Sequence, residues 1–119
     1  MSETFGAFVR RKRLETGVSL RAFAQKAGIS SVYQSSFEQG IRTAPNGEIL
    51  KKMAALLELN DEDEKKLYDL AAETKSIVST PYDITCYIKG NDIVKDAIRT
   101  AKDNNISEDK WREFISSIS

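Results

Sequence analysis

The chain has no histidine, one cysteine and two prolines among its 119 residues. Without histidine it lacks the commonest general base and the commonest metal ligand. Cys86 alone makes neither an intramolecular disulfide nor a zinc site, and it reads as a small buried apolar residue. No run approaches the ~20 apolar residues of a membrane helix. The opening Met1-Ser2-Glu3-Thr4-Phe5 has no basic segment leading into an apolar one, so no signal peptide is expected and the expected location is the cytoplasm. Neither a nucleophile elbow nor a phosphate-cradling glycine loop is present. The expectation is therefore a protein that is not an enzyme and carries no cofactor. The acidic run Asp61 to Glu64 reads as the first turn of a helix, where carboxylates are favoured, and not as a metal site.

What is present suffices for a folded core: 40% of the residues are hydrophobic and 30% charged. The formal net charge of zero conceals a gradient. Residues 1–45 hold Arg10, Arg11, Lys12, Arg13, Arg21, Lys26 and Arg42 against Glu3, Glu15 and Glu38, a net +4; the remainder carries −4. A basic first third points to a localised anionic partner.

The patterning is helical throughout, so the fold class is all-α. Phe5, Phe8, Val9 and Leu14 share a near-helical spacing that stops at Gly17. Ser19 caps a second helix running through Ala27, with Phe23, Ala24 and Ala27 inward; Gly28 turns the chain. Ser30 caps a third, carrying Tyr33 and Phe37, and Gly40 ends it. Asn46 caps a fourth, with Ile49, Leu50, Met53, Ala54 and Leu57 inward; Asn60 caps a fifth, with Leu67, Leu70 and Ala71 inward. Residues 74–82 read as a linker between a domain at 1–73 and a helical segment at 83–119. In that segment Ile84, Tyr87 and Ile88 share one face. Asn91 caps a helix with Ile93, Val94, Ala97, Ile98 and Ala101 in a stripe, and Ser107 caps another with Trp111, Phe114, Ile115 and Ile118.

Two short helices around a glycine turn make a helix-turn-helix, whose demands are specific. The first helix needs a small residue where the second crosses it, and Ala24 supplies that. The turn needs a residue tolerant of positive φ, and Gly28 supplies that; Ile29 plugs the corner. The run Val18 to Ser30, then Phe37-Glu38-Gln39-Gly40, then Arg42 and Pro45, resembles the Cro/CI-type (xenobiotic-response-element) helix-turn-helix regulators over about residues 5–72. The resemblance implies a five-helix, lambda-repressor-like DNA-binding domain with a short helical appendage. It implies a structural pair between Arg13, four residues before Gly17, and Glu38. It also implies that the third helix, residues 30–39, enters the major groove. Ser31, Val32, Gln34 and Ser36 are then the base-facing residues; Arg21, Ser30, Tyr33, Arg42 and Thr43 face phosphates. Two positions depart from the family pattern. Leu20 stands where a Gln often touches phosphate. Gln34 stands where an apolar residue usually packs inward, so it either points outward or hydrogen-bonds between helices.

Serine bonds a base edge singly and Val32 offers only a methyl contact, while Gln34 and Gln39 are the long amides on this helix. Direct readout is therefore expected to be modest and helped by phosphate positioning and DNA shape. A repressor acting as a homodimer would combine two half-sites about 34 Å apart. The stripes at Ile93, Ile98, Trp111, Phe114 and Ile118 are the expected dimer or partner interface, since 83–119 is too short to bury them alone. The alternative is an antitoxin-like module whose C-terminal helices bind a regulatory protein while the N-terminal domain autoregulates.

Overall fold

In the computed structural model the described residues are 3–75 and 80–119. Among them every regular element is a helix: α1 (Phe5–Thr16), α2 (Leu20–Ala27), α3 (Ser31–Glu38), α4 (Gly47–Leu56), α5 (Asp61–Glu73), α6 (Tyr82–Ile88), α7 (Asp92–Asp103) and α8 (Glu108–Ile118). The side chains of Thr4, Ser19, Ser30, Asn46, Asn60 and Ser107 each accept the N–H three residues on, satisfying one orphan amide per helix. Asn91 does not. Its φ of −112° and ψ of 82° lie outside the extended geometry that aims a capping side chain at the helix amides, and it makes no capping bond.

The chain divides into two compact units, Met1–Ile84 and Thr85–Ser119. In the first, one core joins Phe5, Phe8 and Val9 of α1, Phe23 of α2, Phe37 of α3, Leu50, Met53 and Ala54 of α4, and Leu67, Tyr68, Leu70 and Ala71 of α5. Leu14 is not part of it and stands 57% exposed. The inward row of α1 runs on through Arg13, which is buried, and a residue one step further is rotated about 100° outward. Ile49 is only half-buried.

Glu3 ties the start of α1 to α5 through Arg11 (2.8 Å) and Lys66 (3.0 Å). Hydrogen bonds from Arg11, then from Lys66, hold its carboxyl down at about 2 despite desolvation. Of the expected linker 74–82, residues 76–79 lie outside the described residues. Tyr82 belongs to the first unit. Its ring lies 6.0 Å from that of Tyr68 and covers Gly47 so closely that a Cβ there would overlap it.

In the second unit Ala101 is the buried residue, and Ile106 N–H closes the end of α7 on its carbonyl at 3.1 Å. Ile93 and Ile98 of α7 and Trp111, Phe114, Ile115 and Ile118 of α8 are all exposed. Cys86 is exposed as well, contrary to its reading as a small core residue: α6 buries none of its own side chains. Among the described residues no helix is long and apolar enough to cross a membrane.

Candidate nucleic-acid interface

Three features hold α3 in place. The first is the α2–α3 turn. Gly28 adopts φ 79°, and its N–H and that of Ile29 close on the carbonyls of Gln25 and Ala24. Ala24 and Ala27 are buried, leaving room for α3 to cross α2, and Ile29 packs against the core. The second is the approach of α1. A Cβ on Gly6 would overlap the carbonyl oxygen of Phe37 and come within 2.8 Å of that of Glu38, so glycine is what lets α1 close on the end of α3.

The third is electrostatic. Arg13 Nε and one terminal nitrogen meet the two Glu38 oxygens at 2.8 and 2.9 Å, and its other terminal nitrogen donates to the Val18 carbonyl at 3.0 Å. The side chains of this bidentate pair are 8% and 4% exposed. The bond from Glu38 raises the Arg13 pKa, outweighing desolvation. α1, the α1–α2 turn and α3 are thereby locked together.

Gln34 is 0% exposed, so it cannot face a base edge and leaves the base-facing set. Its Nε2 donates to Glu38 Oε2 at 2.8 Å, and its Oε1 is buried without a hydrogen-bond partner among the described residues. The inward direction of α3 at 34 and 37 overrides the polarity of the side chain, and Glu38 one turn on makes the burial tolerable. Replacing Gln34 by methionine removes the orphaned acceptor while Arg13 still satisfies Glu38. The expected result is unchanged or higher stability, by up to about 1 kcal/mol, in urea denaturation. A loss of more than about 2 kcal/mol would show instead that the amide is needed.

The outward face of α3 carries Val32 at 78% exposure, with Ser31, Ser35 and Ser36 half-buried and Gln39 exposed. Ser36 Oγ donates to the Tyr33 carbonyl at 2.6 Å, keeping its lone pairs for an incoming donor. Gln39 Nε2 donates to Ser35 Oγ at 2.8 Å. Ser35 and Gln39 thus join the outward face in place of Gln34. The signal was available in the sequence: 32, 35, 36 and 39 share a helical face opposite 34 and 37. Ser35, Gln39, Arg10 and Leu20 also line one shallow groove, bringing the start of α2 beside the outer face of α3.

The basic first third is only partly available to an anion. Arg11 is taken by Glu3 and Glu15, Lys12 by Asp63 at 2.7 Å and Glu15, and Arg13 by Glu38. Among the described residues Arg10, Arg21, Lys26 and Arg42 make no ion pair, and all four are exposed. Arg21 sits at the start of α2, where the first backbone amides have no intrahelical acceptor and attract anions. Ser30 caps α3, Thr43 is exposed in the α3–α4 loop, and Arg42 beside it lies over the Tyr33 ring, 5.4 Å from its centroid.

Residues 4–67, more than half of the chain, match the helix-turn-helix domain family. The chain is 30% identical over 110 residues to the HTH-type transcriptional regulator SinR of Bacillus subtilis strain 168, covering 92% of this chain and 87% of that protein. It is 29% identical over 116 residues to SinR of Bacillus licheniformis, at the same coverage. Among solved structures it is similar to a SinR protein/SinI protein complex, with a TM-score of 0.50 and 26% identity over 96% of this chain and 93% of that one. These relatives belong to a non-enzymatic class. A helix-turn-helix with an exposed third helix, matched by the family's sequence pattern and by relatives of nearly its own length, places the chain in the helix-turn-helix family of transcriptional regulators.

Proposed function

We propose that the protein is a cytoplasmic, sequence-specific repressor that binds an operator as a homodimer and acts by occlusion. The observation that carries this is the outer face of α3, exposed at Val32 and locked from behind by the buried Arg13–Glu38 pair. In this reading Ser31, Val32 and Ser36, joined by Ser35 and Gln39, meet base edges. Arg21, Ser30, Arg42 and Thr43 meet phosphates, with the Tyr33 ring beneath Arg42. The exposed apolar residues Ile93, Ile98, Trp111, Phe114 and Ile118 form the self-association surface. Two recognition helices then combine binding energies that one set of serine contacts would leave weak.

A second reading has a specific observation behind it. The similar solved structure is a complex of SinR with SinI, a second protein. The same exposed C-terminal faces can serve a protein partner, as an antitoxin-like module would use them, in place of a second copy.

In-vitro selection of duplex DNA by the purified protein, at two salt concentrations, tests the first reading. It expects an enriched inverted repeat. A steep salt slope with no enriched sequence would leave only phosphate contacts and end the claim of specificity. Stoichiometric co-purification of one second polypeptide would favour the alternative.

A further inference from the structure

The α3–α4 loop is pinned at both ends. Ile41 N–H donates to the Ser36 carbonyl at 2.9 Å, and Ala44 N–H donates to Thr74 Oγ1 at 2.8 Å. Between these anchors Arg42 is exposed and has no carboxylate partner among the described residues. Glu3 and Glu73 line a cavity of about 400 Å³ that Arg42 also lines, yet Glu3 is committed to Arg11 and Lys66, and Arg42 pairs with neither. Among the described residues its guanidinium meets an aromatic ring: the guanidinium carbon lies 5.4 Å from the Tyr33 centroid. Tyr33 is fixed in turn, its ring 4.4 Å from that of Phe37, which meets Phe5 edge-on at 6.5 Å. A continuous aromatic series thus runs from the core to a loop cation.

We propose that Tyr33 is a positioning residue for DNA binding, holding the Arg42 guanidinium on its ring face so that Arg42 meets a backbone phosphate. Tyr33 then acts through Arg42 and not through a phosphate bond of its own hydroxyl. The inference rests on the DNA-binding reading of α3 and its following loop. The chemistry is consistent throughout. A ring face attracts a cation, holding a long side chain in one place removes rotamer freedom before binding, and the outward edge of a planar guanidinium remains free for an anionic oxygen.

The test is a double-mutant cycle on the full chain. Affinity for a mixed-sequence duplex about three helical turns long is read by fluorescence anisotropy across a potassium chloride series. Arg42→Met is expected to weaken binding about tenfold and to make the salt slope shallower by about 0.9, the loss of one phosphate contact. Tyr33→Leu is expected to weaken it about two- to fivefold, and Tyr33→Phe, which keeps the ring, to leave it unchanged. In the Arg42→Met background Tyr33→Leu should have no further effect. A merely structural role for Tyr33 predicts the same loss in both backgrounds, which overturns the proposal; thermal unfolding of all five proteins shows whether each is folded at the assay temperature. A loss in Tyr33→Phe equal to that in Tyr33→Leu assigns the contact to the hydroxyl and also overturns it. If the wild-type chain binds no duplex, the DNA-binding reading falls and the proposal with it.

Discussion

Glu38→Met is expected to lower the stability of the first unit by about 3–5 kcal/mol, enough to unfold much of the population near physiological temperature. The substitution leaves the Arg13 guanidinium buried with one remaining acceptor, the Val18 carbonyl, and strips the Gln34 amide of its partner. An unpaired charge at 8% side-chain exposure has little water to turn to. Arg13→Met produces the converse defect, an unpaired carboxylate at 4% exposure, and should be damaging for the same reason. The informative variant is the double replacement, Arg13→Met with Glu38→Met. With both charges removed the desolvation penalty disappears, and stability should recover most of the way to wild type. Urea denaturation of the four proteins gives the cycle. Equal losses in both single variants and the double would show that the pair's value lies in shape and not in charge compensation. Full recovery of duplex binding in the double variant would further mark the pair as a brace for α3.

That brace was legible in the sequence because Arg13 and Glu38 belong to a family pattern; the details around it were not. The five helices of the first unit were readable because each carries its own punctuation: a capping Ser, Thr or Asn before it, or a glycine such as Gly17 or Gly28 at positive φ after it. The failures arise where residue chemistry and helical geometry disagree. Gln34 is polar but lies on the inward row with Phe37, and the geometry prevails because Glu38 supplies a partner. Leu14 is apolar but follows a buried Arg13 by one residue, so it faces outward. Charge counting failed for a different reason. Which of Arg10 to Arg13 stays available depends on Glu3, Glu15, Glu38 and Asp63, and two of those lie on other helices. Tyr82 was assigned to a linker because Pro81 and nearby Ser and Thr signal irregular chain; the pull of Tyr68 and the open face of Gly47 is a tertiary effect. The position of the third helix was therefore predictable, and its outward face was not until the inward row was known.

Phe114→Asp is expected to give the largest functional change in the molecule. Phe114 is 53% exposed on α8, beside Trp111, whose ring meets it edge-on at 6.2 Å, and Ile115 and Ile118 extend the same apolar surface. A cluster of this composition left in water marks an interaction surface. Because the side chain is exposed within its own chain, aspartate removes nothing from a core, and the unfolding midpoint of the first unit should not move. In a two-copy interface the substitution places two carboxylates in an apolar contact, and self-association should be lost. The consequence for DNA follows from linkage. Two tethered recognition helices act as one ligand, and losing the tether lowers affinity for an inverted repeat by about 10²- to 10⁴-fold, while affinity for an isolated half-site is untouched. Light scattering at micromolar concentration reads the first effect, and anisotropy on paired and single half-site duplexes reads the second. A variant that is monomeric yet binds the inverted repeat as tightly as wild type would refute the link between this surface and operator recognition. A wild-type chain that scatters as 13.3 kDa alone would refute self-association through this surface.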